Sequence, residues 1–306
     1  MKKVPPVSVV VCTYNRRKMF DECLESLLNQ SYPKDKYEII VVDSSDDVTD
    51  ELIESYQEKA KKYGIRLKYL YQEPKGLAAA RNLGIENAEG EILCFTDDDC
   101  IADRYWIEKL VEGFDNEKIG GVGGGIVTYE RTLVEKCIPK VRPDIYISNW
   151  AFIIGANMAY RKKVLRQIGG FDPLFRYGGD DNDIGLRVRL KGYKLKFVPN
   201  ATIYFRQRTS LVDLVSQHYG YGRGLSRIYK KFPNFPLIGH VVRLIVFQFF
   251  YPFLFIFKGY KKKLLCALIN SIAMWAYIFG MLIGLVLEKY PEDRVITSKL
   301  DFLKIH

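Results

Sequence analysis

Apolar and polar positions follow two different periods over residues 7–99 of the chain. Short runs of β-branched and other apolar residues are typical of buried strands, and the longer segments between them have apolar residues at helical spacing. The predicted strands are residues 7–14, 37–45, 65–72 and 91–99. The predicted helices are residues 18–30, 47–64 and 76–90. Strands that alternate with helices predict βαβ units on a mixed, mainly parallel sheet, which is an α/β fold.

The pattern is less regular after residue 119. Glycines crowd residues 120–131, where the backbone must bend or approach another group closely. Residues 152–172 favour a strand, a turn and a short helix, and residues 177–194 place acids at the start of a helix. Residues 195–208 favour a strand pair or one bent strand.

Carboxylates follow two of the predicted strands. Asp43 ends the second strand, and Asp97, Asp98 and Asp99 end the fourth. Ligands of open parallel sheets bind at the carboxyl ends of the strands, so these acids are expected to converge on one crevice.

Three consecutive aspartates repel one another unless a cation compensates them. Their oxygens suit Mg²⁺ or Mn²⁺, which usually completes its coordination with water and substrate phosphates. The triplet therefore predicts a divalent metal and a diphosphate ligand. The alternative is a solvated acidic loop that caps the segment after it.

Two long apolar segments follow residue 236. Residues 264–287 contain no charge, and a helix of that length crosses a bilayer core of about 30 Å. Residues 237–257 carry three polar side chains on one side of a helix, which is typical of an interfacial helix. Lysines in residues 258–263 favour the cytoplasmic face of a membrane. The alternative is that both segments are core helices of a soluble domain.

These segments divide the chain into a predicted catalytic domain at 1–208, a connector at 209–236, membrane-associated helices at 237–290 and a tail at 291–306. Within the second apolar segment, Gly280 and Gly284 have the spacing of a helix-dimerisation motif, although ordinary packing is the favoured interpretation.

Charge is distributed unevenly between the two halves. Residues 1–130 carry 17 Lys or Arg against 25 Asp or Glu, whereas residues 131–306 carry 29 against 11. A basic half suits an anionic membrane surface, and without a recognition helix, zinc finger or RNA-binding motif we expect no nucleic-acid partner.

The six cysteines form no CxxC pair and have no histidine cluster beside them. We therefore expect neither a zinc site nor a disulfide framework, but reduced, buried thiols in a protein that faces the cytosol.

The motifs together resemble one enzyme family. VSVVVCTYNRRKMFDECLESLLNQSY, IIVVDSSDD and GLAAARNLGIENAEGEILCFTDDD, followed by GANMAYRKKVLRQIGGFD and GGDDNDIGLRVRLKGYK, resemble the nucleotide-sugar glycosyltransferases of family 2, which have the GT-A fold. The resemblance covers residues 7–208. It implies an inverting transferase that uses a UDP-, GDP- or TDP-sugar together with Mn²⁺ or Mg²⁺.

The resemblance also implies roles for individual residues on the donor side. The positions implied to bind the nucleotide sugar are Thr13, Tyr14, Asn15, Arg16, Asp43, Arg81, Asp97 and Asp98. Asp99 is implied to bind the metal, with Asp97. The chain has VVDSSDD where the family usually has VVDDGSTD, so the acid that normally follows Asp43 is absent.

On the acceptor side the attacking hydroxyl must lose a proton, so a base is required. The family commonly has Gly-Glu-Asp where this chain has GGDDND, which maps the base to Asp181 and puts Asp180 in place of the Glu. Asp180 has helix capping as the alternative role. Asn157 is implied to lie near the acceptor or donor sugar, with packing as its alternative.

Two further residues are candidates for the acceptor or donor site. Trp150 suits stacking on a sugar, with an ordinary core or surface aromatic as the favoured alternative, and Arg223 suits the diphosphate or a membrane interface.

The sequence thus predicts a membrane-associated, metal-dependent glycosyltransferase whose catalytic domain faces the cytoplasm and whose acceptor is a lipid-linked or cell-surface glycan. Three alternatives remain open. One is a polyprenyl-phosphate sugar synthase. The second is a sugar nucleotidyltransferase, which would need a glycine-rich loop that VCTYNRRK lacks. The third is a non-catalytic, membrane-tethered protein that binds a nucleotide or glycan, and both acid clusters argue against it.

Overall fold

The structure is a computed structural model that describes residues 4–48, 50–128, 132–138, 153–176, 178–234 and 261–297. The chain forms two compact units. The first falls within Met1–Val127, Val141–Arg176 and Asp180–Arg206, and the second within Thr128–Lys140, Tyr177–Gly179 and Gln207–His306.

Strands in the described residues form one mixed sheet. They are β1 (Val7–Thr13), β2 (Tyr37–Asp43), β3 (Arg66–Tyr71), β4 (Ile92–Asp97), β5 (Cys100–Ala102), β6 (Ile119–Thr128), β7 (Asn157–Arg161) and β8 (Lys194–Phe205). Their order is β3-β2-β1-β4-β7-β6-β8-β5. β3, β2, β1 and β4 are parallel, whereas β7 pairs antiparallel with both β4 and β6 and β5 pairs antiparallel with β8. The predicted mixed α/β sheet is confirmed.

Helices connect these strands. They are α1 (Arg17–Leu28), α2 (Asp50–Lys62), α3 (Leu77–Asn87), α4 (Trp106–Glu112), α5 (Leu133–Cys137), α6 (Lys162–Ile168), α7 (Asp180–Leu190), α8 (Leu211–Lys231) and α9 (Lys261–Leu287). Short 3₁₀ helices lie at Lys34–Lys36 and Glu292–Arg294. The first three helices follow β1, β2 and β3, as the hydrophobic period predicts.

The sheet is buried on both faces. Successive strand residues point to opposite faces, so neighbouring residues of one strand pack into different hydrophobic clusters. On β1, Val9 and Val11 pack into one hydrophobic cluster, whereas Val10 packs into the other. Ile39 and Ile40 divide in the same way on β2. A continuous apolar run is the pattern that such a strand requires.

The glycines of β6 lie where other backbone comes close. A Cβ atom on Gly124 would overlap the carbonyl oxygen of Ala201 and the side chain of Asn157. This confirms the expectation of close approach in residues 120–131. Of the two alternatives for residues 195–208, a strand pair or one bent strand, the structure has a single strand, β8, which ends at Phe205.

Within the second unit, α8 and α9 pack against each other at small residues. A Cβ on Gly280 would overlap the backbone of Tyr219, and a Cβ on Gly284 would overlap the side chain of Ser226. Gly280 and Gly284 therefore serve packing within the chain, which is the interpretation favoured from the sequence.

Within the described residues, one helical stretch is long and apolar enough to cross a membrane, Lys263–Leu287, with a mean hydropathy of 1.8. One third of its most apolar window is buried. Large apolar side chains spaced three or four residues apart lie exposed along it: Leu265, Leu268, Ile272, Trp275, Phe279, Leu282 and Val286. The predicted interfacial segment 237–257 lies outside the described residues.

The expectation of reduced thiols is wrong for one pair. Cys137 and Cys266 are bonded and join α5 to α9 in the second unit, 129 residues apart in sequence. The Asn270 side-chain amide also donates to the carbonyl oxygen of Cys137 at 2.6 Å. The two cysteines share no spacing motif, so only the packing of α5 beside α9 could reveal the bond. Cys12, Cys23, Cys94 and Cys100 are free, as expected.

Candidate active site

The ends of three neighbouring parallel strands form the centre of the candidate site, in the first unit. Thr13 lies opposite Asp43 across the β1–β2 pair, and Cys12 lies opposite Asp97 across the β1–β4 pair. Asp43 and Asp97 therefore converge at the carboxyl ends of neighbouring strands, as predicted. The parallel register accounts for it, since all three strands end at the same level.

Asp98 and Asp99 follow β4 and are almost fully buried, at 5% and 4% exposure. The Thr13 hydroxyl donates to Asp98 Oδ2 at 2.9 Å. Nη1 of Arg16 lies 3.2 Å from both Asp98 Oδ1 and Asp99 Oδ2. Burial raises the pKa of Asp98, and Arg16 and Thr13 oppose that rise because they stabilise the ionised carboxylate.

A small cavity lies beside Asp43 and the start of α1. It is lined by Thr13, Arg17, Phe20, Asp43, Ser45, Asp47, Leu52 and Tyr56. The Ser45 N–H donates to Asp43 Oδ1 at 2.8 Å, and the Tyr69 hydroxyl donates to Asp43 Oδ2. Tyr69 also stacks on Tyr56, with ring centroids 6.1 Å apart. Tyr69 and Ser45 were not identified from the sequence, because β3 carries no motif that marks a tyrosine facing Asp43.

The loop after β1 is held to the loop after β2. Asn15 adopts a φ of 52°, a left-handed conformation that asparagine tolerates better than most residues. Its side chain donates to Asp46 Oδ2 at 3.0 Å and accepts from the Asp46 N–H at 3.1 Å. Its N–H donates to Ser45 Oγ at 2.7 Å. Tyr14 is half exposed beside it.

Arg81, on α3, joins the two acidic clusters. Its Nη1 donates to Asp180 Oδ2 at 2.5 Å, and its Nη2 donates to Asp97 Oδ1 at 2.9 Å and to the carbonyl oxygen of Gly155 at 3.2 Å. The guanidinium also lies over the ring of Phe171, 5.4 Å from its centroid. Burial would lower the pKa of Arg81, but Asp180 and Asp97 raise it above its usual value.

Asp181 lies in the first turn of α7, beside this bridge. The Gly155 N–H donates to its Oδ2 at 3.0 Å, and the Asn182 N–H donates to its Oδ1 at 2.8 Å. Burial, with the neighbouring charge of Asp180, raises the pKa of Asp181 to about 7. Burial also raises the pKa of Asp180, while Arg81 acts in the opposite direction.

Gly155 is a site residue that the sequence argument missed. It contacts Asp181 through its N–H and Arg81 through its carbonyl oxygen. A Cβ at this position would lie 3.1 Å from Arg81 Nη2, so a side chain would crowd the guanidinium. The glycine of GANMAY was the available signal, since a glycine beside a strand often marks a place where another group approaches the backbone closely.

Two other candidate residues make different contacts, and a third lies outside the described residues. The side chain of Asn157 accepts from Trp106 Nε1 at 2.8 Å and donates to the carbonyl oxygens of Gly125 and Ala201, so it packs inside the sheet. Arg223 lies in the second unit, where its Nε donates to Glu288 Oε1 at 2.5 Å. Trp150 lies outside the described residues.

The carboxylate oxygens of Asp97, Asp98 and Asp99 are suitable ligands for a divalent cation. Asp98 and Asp99 present hard carboxylate oxygens in a buried position beside a cationic side chain. In the part of the chain that the structure describes, no three acidic, histidine or cysteine side chains already converge on one point. Asp97 faces Arg81, whereas Asp98 and Asp99 face Arg16. A cation here would need oxygens from water or a phosphate, as Mg²⁺ and Mn²⁺ sites usually have.

Comparison with known protein families assigns this arrangement. The profile described as Glycosyl transferase family 2 matches residues 8–169, and the one described as Glycosyl transferase family group 2 matches residues 96–288. The chain belongs to glycosyltransferase family 2. It is a transferase enzyme, and the predicted GT-A fold is confirmed.

Curated relatives agree with the family. The glycosyltransferase is 28% identical over 280 residues to "Probable glycosyltransferase YdaM" of Bacillus subtilis, covering 85% of this chain and 65% of the relative, which is less than two thirds. It is 29% identical to "Glycosyltransferase AglE" of Haloferax volcanii, covering 74% and 75%. It is 24% identical to a Methanococcus voltae enzyme named "Dolichyl N-acetyl-alpha-D-glucosaminyl phosphate 3-beta-D-2,3-diacetamido-2,3-dideoxy-beta-D-glucuronosyltransferase", covering 92% and 86%.

Two solved structures share the fold of this glycosyltransferase. A mannosyltransferase from Pyrobaculum calidifontis in complex with GDP-Man and Mn²⁺ has a TM-score of 0.68 at 21% identity, covering 94% of this chain and 89% of that one. TarS 1–349 of S. aureus in complex with UDP has a TM-score of 0.52 at 17% identity, covering 91% and 90%. At these identities the likeness establishes the fold.

Proposed function

We propose that this glycosyltransferase moves a sugar from a UDP-, GDP- or TDP-sugar to a hydroxyl group of a lipid-linked or cell-surface glycan, with inversion at the anomeric carbon. The Asp97–Arg81–Asp180 bridge carries the proposal, because one buried guanidinium joins the acids of the donor side to the second cluster. An inverting displacement requires a leaving-group site and a base on opposite faces of the sugar at a fixed separation, and the bridge supports this assignment because it links the two candidate groups.

The nucleotide half is assigned to the loops after β1 and β2. Thr13 and Asp43 line the small cavity, and Asn15 contacts Ser45, another of its lining residues. We assign these residues, with Tyr14 between Thr13 and Asn15, to the base and ribose. Asp98 accepts a hydrogen bond from Thr13 and pairs with Arg16, and these two residues are assigned to the ribose and diphosphate. Asp43 is the candidate acceptor for a hydrogen bond from the base.

A divalent cation, Mn²⁺ or Mg²⁺, is assigned to Asp99 with Asp97. When bound, such a cation neutralises the charge that develops on the departing nucleoside diphosphate. The Mn²⁺ in the related Pyrobaculum mannosyltransferase supports this choice of metal. Arg81 and Arg16 add positive charge beside the acids at the carboxyl end of β4, which also favours departure of the nucleoside diphosphate.

Asp181 is assigned as the general base. It accepts the proton of the acceptor hydroxyl as that oxygen attacks the anomeric carbon from the face opposite the diphosphate, which inverts the configuration. Its pKa of about 7 supports this role, since a base works best when its pKa lies near the operating pH. The Gly155 and Asn182 N–H groups hold the carboxylate in place.

The acceptor and the location of the protein form the remaining part of the proposal. The exposed apolar face of α9 supports membrane association, and the lysines of residues 258–263 favour a cytoplasmic catalytic domain. The name of the Methanococcus voltae relative, a glucuronosyltransferase that acts on a dolichyl phosphate sugar, supports a lipid-linked acceptor. The proposed divisions are 1–208 for catalysis, 209–236 for the connector, 237–290 for the membrane helices and 291–306 for the tail.

A thermal-shift panel tests the donor half of the proposal. The full chain, in detergent, is melted with UDP, GDP, TDP or CMP, each with and without Mn²⁺. One nucleoside diphosphate should raise the melting temperature, and the rise should depend on Mn²⁺. Asp99→Ala should lose the Mn²⁺ dependence, while the exposed Asp35→Asn should keep it. The transferase mechanism proposed here fails if no nucleotide changes the melting temperature under either condition.

A further inference from the structure

Arg16 makes an unusual contact with the acidic triplet. It immediately precedes α1, and a single nitrogen, Nη1, lies 3.2 Å from an oxygen of Asp98 and 3.2 Å from an oxygen of Asp99. One donor is therefore shared between two adjacent carboxylates.

Burial makes a compensating charge necessary. Asp98 and Asp99 are almost completely removed from solvent, and two buried carboxylates side by side repel each other. Asp97 is paired with Arg81. Each acid of the triplet thus has an arginine beside it, and a divalent cation that binds at Asp99 would meet the positive charge of Arg16 already in position.

The two arginines differ in how firmly they are held. The side chain of Arg81 is 3% exposed, donates to three acceptors and lies over Phe171. The side chain of Arg16 is 36% exposed and its ion pairs are to Asp98 and Asp99. A partly exposed arginine regains hydration when it leaves its partner, so its displacement costs much less than that of a buried one.

We propose that Arg16 is a built-in counter-cation that holds the two carboxylates of Asp98 and Asp99 in the metal-free enzyme and is displaced when the divalent metal binds. The inference rests on the proposed metal site at Asp99. After displacement the guanidinium stays on the segment between β1 and α1, where it is available to a phosphate oxygen of the donor. Arg16 would thereby couple metal entry to diphosphate binding.

If Arg16 competes with the metal, its removal should change metal affinity in the opposite direction from removal of an arginine that supports the metal ligands. A supporting arginine would help to organise the metal ligands, so its loss would weaken metal binding. A competing arginine occupies Asp99, one of the two proposed ligands, so its loss removes the competitor and strengthens metal binding. Stability without metal should move in the other direction, because the buried carboxylates lose their counter-charge.

The test compares Arg16→Gln with wild type and with Lys18→Gln. Lys18 lies two residues further along the chain, is exposed and carries the same charge, so its variant controls for the general electrostatic effect. Free Mn²⁺ is measured by electron paramagnetic resonance during titration of each full-length protein without nucleotide. Melting temperatures are recorded with and without Mn²⁺.

Arg16→Gln should bind Mn²⁺ about tenfold more tightly than wild type, which is the effect of losing one charge-assisted contact. Its melting temperature should be lower than that of wild type without Mn²⁺, and Mn²⁺ should raise it by more. Lys18→Gln should resemble wild type in both measurements. Arg16→Lys, which keeps the charge but loses the planar guanidinium, should give an intermediate affinity and serves if Arg16→Gln does not fold.

An affinity for Mn²⁺ that is unchanged or weaker in both Arg16 variants, with wild type still binding the metal, overturns the inference alone. The proposed metal site is rejected, and the inference with it, if Mn²⁺ binds none of the proteins even when UDP or GDP is present, or if Asp99→Ala binds Mn²⁺ as wild type does. The two failures are therefore distinguishable.

Discussion

Arg81 Nη1 lies 2.5 Å from Asp180 Oδ2, and this contact joins residues 99 positions apart in the chain. The same guanidinium donates to Asp97. The carboxyl end of β4, with its candidate metal ligands, and α7, with the candidate base, therefore share one buried cation. Glycosyl transfer needs both halves at a fixed separation, and the guanidinium supplies a rigid connection between them.

Replacing Arg81 with Met should remove that connection and leave two carboxylates without a counter-charge. Loss of one partner from a buried ion pair typically lowers the free energy of unfolding by about 3–5 kcal/mol. Urea denaturation of both proteins would measure the change. Arg81→Lys should recover only part of the loss, because an ammonium group cannot donate to Asp97, Asp180 and Gly155 in the same plane. Equal stability of Arg81→Met and wild type would contradict the bridge.

Asp181→Asn should retain binding of the nucleoside diphosphate and lose sugar transfer. The amide keeps the size of the carboxylate but cannot take the acceptor proton, so turnover should fall by about 100-fold or more, in the range of general base catalysis. Nucleotide affinity is measured by calorimetry and transfer by release of the nucleoside diphosphate. Asp35→Asn, on an exposed 3₁₀ helix, is the matched control. Turnover that survives in Asp181→Asn would exclude Asp181 as the base.

The raised pKa of Asp181 makes both activity and stability depend on pH. Activity should rise as the pH passes through about 7, since only the ionised carboxylate accepts a proton. Stability should change in the opposite sense. Between the ordinary pKa of about 4 and the raised value, the folded protein holds a proton that the unfolded chain has released, so the free energy of unfolding falls as the pH rises. Asp181→Asn should flatten this slope in pH-dependent denaturation, and an unchanged slope would assign it to another group.

Tyr69→Phe should alter recognition of the nucleotide base. The Tyr69 hydroxyl occupies Asp43 Oδ2, and its removal leaves that oxygen available to a ligand. We expect weaker discrimination among UDP, GDP and TDP in calorimetric titrations, because Asp43 loses the partner that orients it. Tyr71→Phe, on the same strand but half exposed, is the control. Identical discrimination in Tyr69→Phe and Tyr71→Phe would show that Asp43 is oriented by other contacts.

The Cys137–Cys266 disulfide should stabilise the second unit. It closes a loop across 129 residues, and a bond of that kind typically contributes about 2–4 kcal/mol by restricting the unfolded chain. Cys137→Ser combined with Cys266→Ser should lower the melting temperature under oxidising conditions. Reductant should lower wild type to the same value and leave the double variant unchanged. A double variant that melts with oxidised wild type would show that the bond contributes nothing.

Much of the first unit was accessible from the amino-acid order. The apolar runs at residues 7–14, 37–45 and 91–99 contain β1, β2 and β4, because a strand covered on both faces is apolar at most positions. The convergence of Asp43 and Asp97 followed, since parallel strands that end together place their last side chains on one edge. Boundaries were less accurate, and several predicted elements extend one to three residues beyond the observed ones.

Tertiary structure alone determined which charges meet. The sequence shows that Arg16, Arg81 and the acids are present, but their pairing depends on how α1, α3 and α7 pack on the sheet. Tyr69 faces Asp43 and Gly155 contacts Asp181 for the same reason, and Cys137 bonds to Cys266 because α5 lies against α9. Local periodicity records burial along each element, so it determines the elements and the strand edge that carries the acids. Contacts between distant side chains arise only when those elements pack, and for this protein they determine how the acidic residues are neutralised and held.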